Sequence, residues 1–217
     1  MKLLLATKNP GKISEIKTLL KELGVEVLSL DDISGNPPEV VEDGDTFAAN
    51  ARKKALAAAR WAGMPALADD SGLVVPALGG EPGVHSSRYA GEDGNSEANM
   101  ALLLERMEKI PELERLAHFV CVLVLAAADG RIWQAGGRVD GLITFRKEGE
   151  GGFGYDPIFF YIPADKTFAQ MGAAEKNRVS HRYRALKSFG KMWPEVRGEL
   201  EAGSDGATER RSGQATE

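Results

Sequence analysis

The chain has 217 residues, 43% of them hydrophobic, which is enough to build one sizeable core. A formal charge of −5 removes the basic footprint that long-range attraction to DNA, RNA or an anionic membrane requires. A single cysteine excludes an internal disulfide, and with only three scattered histidines no zinc spacing exists, so any metal would be a hard cation, Mg²⁺ or Mn²⁺, on carboxylates.

Residues 2–6 read as a buried strand. Asn9 followed by Pro10 matches an N-cap with proline in the first helical position. Ile13, Ile16, Leu19, Leu20 and Leu23 share one helical face, and Gly24 ends that helix. "VEVLSL" is the next strand, joined by a parallel crossover, so the chain begins as an α/β protein. The acidic stretch "DDISGNPPEVVEDGD" reads as a loop, and an alanine-rich helix follows from Thr46 to Ala62 with Asp45 or Thr46 as its cap. "PALADDSGLVV" is expected to be a strand that breaks at its acids and resumes, and "GGEPGVHSSRYAGEDGN" a long functional or mobile loop. A helix from about Ser96 to Lys109 leads into two long strands joined at Asp129-Gly130, a strong hairpin signal. Cys121 lies in the first of them and reads as a buried, unreactive thiol. Short helices are expected from about Gly172 to Lys176 and from Ser180, as cap, to Trp193. Beyond Leu200 the chain has no aromatic or branched aliphatic residue, and 201–217 reads as a disordered tail after a single domain spanning 1–200. The amino terminus lacks a signal-peptide core and no apolar run reaches the length of a membrane span, which fits a reducing cytoplasm.

The turn "ATKNPGK" resembles a phosphate loop, yet a Walker loop would have Gly at position 6 and Ser or Thr at position 13, where this chain has Ala6 and Ile13. What remains is a helix amino terminus with free N–H groups, Gly11 allowing close approach, and Lys8 and Lys12 adding charge, a setting suited to a phosphate chain or to an ordinary capped helix. Adjacent Asp69 and Asp70 repel each other, which a nearby cation would relieve; a turn cap with one acid in water would also account for them. Glu42, in a loop just before a helix, is the best acid to complete a metal site, and Lys54 on that helix reaches either phosphate or water. Phe153, set among glycines, offers a face for a base, and Asp156 a hydrogen-bond acceptor for ring or sugar. Lys176, His181 and Arg182 supply donors suited to a keto-bearing base or a phosphate.

Taken together, "ATKNPGK", "EDGDTFAANARKKA", "PALADDSGL", "SSRYAGEDG", "GGFGYDPIFF" and "EKNRVSHR" stand in the order found in one family. Over residues 1 to about 197 the chain closely resembles the inosine triphosphate pyrophosphatases, also called dITP/XTP pyrophosphatases. The resemblance implies an α/β fold with a long twisted mixed sheet, flanking helices, and two lobes around a nucleotide-binding cleft. It implies a homodimer, with one Mg²⁺ per subunit and Mn²⁺ as a substitute. It assigns Thr7, Lys8, Asn9, Pro10, Gly11 and Lys12 to the phosphates, Glu42 and Asp70 to Mg²⁺, and Ser71 to substrate contact. Asp70 would also accept the proton of the attacking water, while Phe153, Gly154, Tyr155, Asp156, Lys176, His181 and Arg182 would shape the base pocket. The implied reaction is cleavage of ITP, dITP or XTP into the monophosphate and pyrophosphate by water at the α-phosphorus. Donors near His181 and Arg182 would match a purine 6-oxygen, whereas adenine would leave them unpaired at roughly 1 to 3 kcal/mol per buried group. A nucleotide sensor and a phosphoesterase releasing orthophosphate are the competing classes.

Overall fold

A computed structural model describes residues 1–212, the side chains of Leu19 and residues 203–212 excepted. Seven strands form one mixed sheet in the order β2-β1-β3-β4-β5-β6-β7. The first unit is β1 (Lys2–Leu5), α1 (Pro10–Lys21) and β2 (Glu26–Leu28), and β1 pairs in parallel with both β2 and β3 (Ala66–Val74). From β3 onward the sheet is antiparallel: β4 (Leu116–Ala126), β5 (Ile132–Ile143), β6 (Phe159–Tyr161) and β7 (Lys166–Thr167). The expected α/β class and mixed sheet are therefore observed, and the Asp129-Gly130 hairpin joins β4 to β5 with Gly130 at φ 97°.

Local signals act where the sequence places them. Asn9 Oδ1 accepts the Lys12 N–H at 3.1 Å with Pro10 opening α1, and Thr46, not Asp45, caps α2 (Phe47–Ala62) through the Ala49 N–H. Ser180 Oγ accepts the Tyr183 N–H at 3.2 Å and starts α5. α3 (Ser96–Arg106) is shorter than expected, and α4 (Ala173–Lys176) is a single turn.

Three expectations are corrected. β3 does not break at its acids: Asp69, Asp70 and Ser71 pair in unbroken register with Leu123, Val122 and Cys121. The long loop after β3 is partly ordered as a 3-10 turn, Gly83–Arg88, whose Ser86 Oγ accepts the Leu73 N–H while Asn99 holds Ala90 and Ser87. The last helix does not stop at Trp193: α5 spans His181–Ser212, through Pro194 and past Leu200. Trp193, Val196 and Leu200 are buried in the core, so packing outweighs the one hydrogen bond that proline removes. Residues 213–217 of the expected tail lie outside the described residues.

The two faces of the central sheet are packed differently. On one, Leu3, Leu5, Leu67, Leu123 and Leu125 meet Ile16 and Leu20 of α1 and Phe189 and Trp193 of α5. On the other, alanines of α2, Ala51, Ala55, Ala58 and Ala59, lie against Leu4, Ala66, Ala68 and Val124, the small residues letting helix and sheet approach closely. A third cluster, built on Leu73, Met100, Leu103, Phe119, Val139, Phe159 and Phe168, fills the antiparallel end. No described helix is long and apolar enough to cross a membrane.

Candidate active site

Strand β1 ends at Leu5, and its pairing with β3 goes no further than Leu67. Beyond that point β3 has no strand neighbour on that side among the described residues until Val74 bridges to Pro82, and a cleft of about 1280 Å³ opens there. Successive strand residues face opposite sides. Asp69 and Asp70 therefore point to opposite faces of the sheet, and the nearby cation expected to relieve them is a separate one on each face, Lys12 beside Asp69 and Lys54 beside Asp70.

Asp69 belongs to the α1 and α5 face. Its Oδ2 lies 3.1 Å from Lys12 Nζ and 3.3 Å from an Arg182 amine, and accepts the Ser71 hydroxyl at 2.8 Å. Burial pushes its pKa up, but Lys12, Arg182 and Lys54 outweigh it and hold the carboxyl well below the ordinary range. The same charges continue outward. Arg182 pairs with Glu15 of α1, Glu15 Oε1 lies 3.3 Å from Lys176 Nζ, and Lys176 donates to Asp156 Oδ2 at 2.6 Å. An alternating row of acids and bases thus ties α1, β3, α4, α5 and the turn before β6 together beneath the cleft.

Asp156 accepts the Phe153 N–H at 2.8 Å, which fixes the aromatic loop. The half-exposed Phe153 ring has Lys176 Nζ 4.3 Å from its centroid. Tyr155 is buried and its hydroxyl donates to the Ser86 carbonyl at 2.9 Å, so it fastens the aromatic loop to the 83–88 turn. His181 stacks on Phe119 with centroids 4.7 Å apart, and burial together with the charges of Arg182 and Lys176 lowers its pKa well below 6.5, keeping the ring neutral. α5 reaches this place because Gly137 of β5 has no side chain: a Cβ there would collide with the His181 carbonyl and the Ala185 amide.

Asp70 belongs to the α2 face. Lys54 Nζ lies 2.9 Å from Asp70 Oδ1 and 3.0 Å from Glu42 Oε2, joining the two acids. The Glu42 loop is itself held, since Arg88 donates to the Glu42 carbonyl at 2.9 Å and buried Asn50 accepts the Gly44 N–H at 2.8 Å. Burial raises the Asp70 carboxyl to about 6 against the pull of Lys54. Among the described residues no group of three His, Cys, Asp or Glu converges to form a full protein cage. Two carboxylates brought to one ammonium nonetheless fit Mg²⁺, which takes one or two protein carboxylates and completes its shell from water and substrate phosphates.

The residues assigned to substrate, base and metal line this one cleft: Thr7 to Lys12, Glu42, Asp70, Ser71, Phe153 to Asp156, Lys176, His181 and Arg182; Asp69 does not line it and is buried behind Lys12. Lys8 is exposed at its wall, and Lys12 is anchored on Asp69. Glu15 was not singled out, although it sits one residue before Ile16 on the inner side of α1; a charged residue beside an apolar stripe was the only signal. Arg88 was missed as well, because its partner, 46 positions away, is a backbone carbonyl. Lys54, left open between phosphate and water, is paired with both acids.

The model of the Ham1 family matches residues 3–192. A dITP/XTP pyrophosphatase of Desulforamulus reducens is 51% identical over 86% of this chain and 92% of its own, and one of Thermus thermophilus is 52% identical over 87% and 90%. Among solved structures, the Staphylococcus aureus Ham1 protein superposes with a TM-score of 0.81 at 38% identity, covering 90% of this chain and all of that one. A nucleoside-triphosphatase, dITP/XTP pyrophosphatase, of Mycobacterium abscessus does so with a TM-score of 0.72 at 42% identity, covering 87% and 98%.

Proposed function

The chain belongs to the Ham1 family, and from that premise we propose how its cleft works. The protein hydrolyses the non-canonical purine nucleoside triphosphates ITP, dITP and XTP to the monophosphate and pyrophosphate, which removes them from the precursor pool of DNA and RNA. The observation that carries the assignment of roles is the division of the cleft by β3. A cationic helix start and an aromatic loop stand on the Asp69 side, and paired carboxylates on the Asp70 side.

In this reading the amino end of α1, with Lys8 and Lys12, binds the triphosphate through free N–H groups and charge. Phe153 presents its ring to the purine, and Asp156, Lys176 and Arg182 hold the pocket in shape. Glu42 and Asp70 would hold Mg²⁺, with Mn²⁺ as a substitute. When bound, the ion offsets charge on the phosphate oxygens. Asp70 takes the proton of the water as it attacks the α-phosphorus. The pyrophosphate leaves, and Lys8 and Lys12 neutralise the charge it carries away. Lys54 keeps the Asp70 and Glu42 side chains facing each other. The buried His181 Nδ1 and Arg182 Nε have no partner among the described residues and suit the purine 6-oxygen. Work as a homodimer in the cytoplasm belongs to the same reading.

The test is turnover of ITP, XTP, GTP and ATP with Mg²⁺, with pyrophosphate and orthophosphate assayed separately and Asp70→Asn as control. Pyrophosphate from ITP and XTP, little product from ATP, and loss of turnover in the variant are expected. Orthophosphate, or tight binding without turnover, would overturn the reading.

A further inference from the structure

We propose that Gly11 is a specificity-determining position, its missing side chain forming the seat that holds the Phe153 ring over the base pocket; this rests on the function just proposed. In the sequence Gly11 reads as clearance for a phosphate. In the fold the clearance is taken: a Cβ on Gly11 would stand 2.9 Å from both Cδ1 and Cε1 of Phe153. The ring is otherwise held lightly. Its backbone N–H is bound by Asp156, two cationic groups, Lys176 at 4.3 Å and Arg182 at 5.9 Å, lie over its face, and more than a third of the residue is exposed. The edge contact at Gly11 is what sets the ring's lateral position.

The consequence of filling that seat can be read from the same geometry. Gly11 lies in the first turn of α1 with no positive φ, so alanine fits its backbone; the tightest contacts are with the far end of a mobile side chain, and the Asn9 cap oxygen at 3.3 Å has only to give by a few tenths of an ångström. The helix stays and the ring moves. Phosphate binding depends on the α1 N–H groups and on Lys8 and Lys12, none of which the added methyl displaces. Base binding depends on the displaced ring, since aromatic stacking against a base is lost when the faces no longer overlap.

Two probes separate the roles without turnover. Inorganic tripolyphosphate carries no base, and inosine monophosphate carries the base with a single phosphate. By calorimetry, Gly11→Ala should bind tripolyphosphate within about twofold of wild type and inosine monophosphate about tenfold more weakly. Phe153→Leu should show the same pattern, and the double variant should be no worse than Phe153→Leu alone, because the seat matters only through the ring. In turnover, Gly11→Ala should raise KM for ITP with kcat largely kept. Equal weakening of both probes, or multiplied losses in the double variant, would overturn the proposal and return Gly11 to the phosphates. Failure of the wild type to release pyrophosphate from ITP would overturn the reaction, while the binding comparison would still decide the seat.

Discussion

At the scale of single residues, the cleft depends on charges that burial makes mutually dependent. Lys54 is the shared partner of Glu42 and Asp70. Lys54→Ala leaves those acids facing each other, and breaking such a buried pair costs about 3 kcal/mol. In urea denaturation with EDTA the variant's midpoint should fall, and added Mg²⁺ should recover more stability in the variant than in wild type. An equal response to Mg²⁺ in both would separate the acids from the ion. His181 gives a second prediction. Burial first, then Arg182 and Lys176, lowers its folded pKa well below the 6.5 of the free side chain. Below that value the unfolded chain takes up the proton and the native state does not, so this residue's contribution to stability is lost as pH falls through about 6.5. Asp70, raised to about 6 by burial, acts in the opposite direction between its ordinary value and 6. His181→Phe, which keeps an aromatic ring against Phe119, should therefore lose less stability than wild type between pH 7 and 5, read as the denaturant midpoint across that range.

At the scale of elements, two neighbouring glycines of β5 serve as a matched test of how α5 is placed. A methyl on Gly137 runs into the backbone of α5, whereas on Gly136 its nearest neighbour is the Cys121 carbonyl at 3.7 Å. Gly137→Ala should cost at least about 1 to 3 kcal/mol by overpacking and should weaken inosine monophosphate binding by moving His181 and Arg182. Gly136→Ala should change the urea midpoint by no more than about 0.5 kcal/mol. Elements with strong local signals were legible in the sequence: the Asn9-Pro10 start, the Thr46 helix, the Asp129-Gly130 hairpin. β3 was misread as broken because two consecutive acids in an apolar strand look like a turn, and the partners that make them tolerable, Lys12, Arg182 and Lys54, come from α1, α5 and α2. Glu15 was invisible for the same reason, since its partners Lys176 and Arg182 lie more than 150 positions away. The last helix reads as ending at Trp193 because propensity is local, while the burial of Val196 and Leu200 that carries it on is not.

At the scale of the molecule, α5 closes the core with Trp193, Val196 and Leu200, and Glu201 and Ala202 are exposed. A chain ending at Ala202 should keep the thermal midpoint and the turnover of the full chain. A chain ending at Met192 loses a buried tryptophan and two buried aliphatic residues, each worth about 2 to 5 kcal/mol, and should not fold stably. Unchanged melting of the shorter chain would show that the end of α5 contributes nothing to the core. Among the described residues β3 is also the one strand bordered by a parallel neighbour on one side and an antiparallel one on the other. Its two acids are successive residues, so the offset between the anchor of Lys12 and the anchor of Lys54 is a bond-length matter, about 3.8 Å from Cα to Cα, and not a matter of packing. However the cleft admits or releases a ligand, the acid that anchors Lys12 and the acid that anchors Lys54 keep one spacing, set by the same strand.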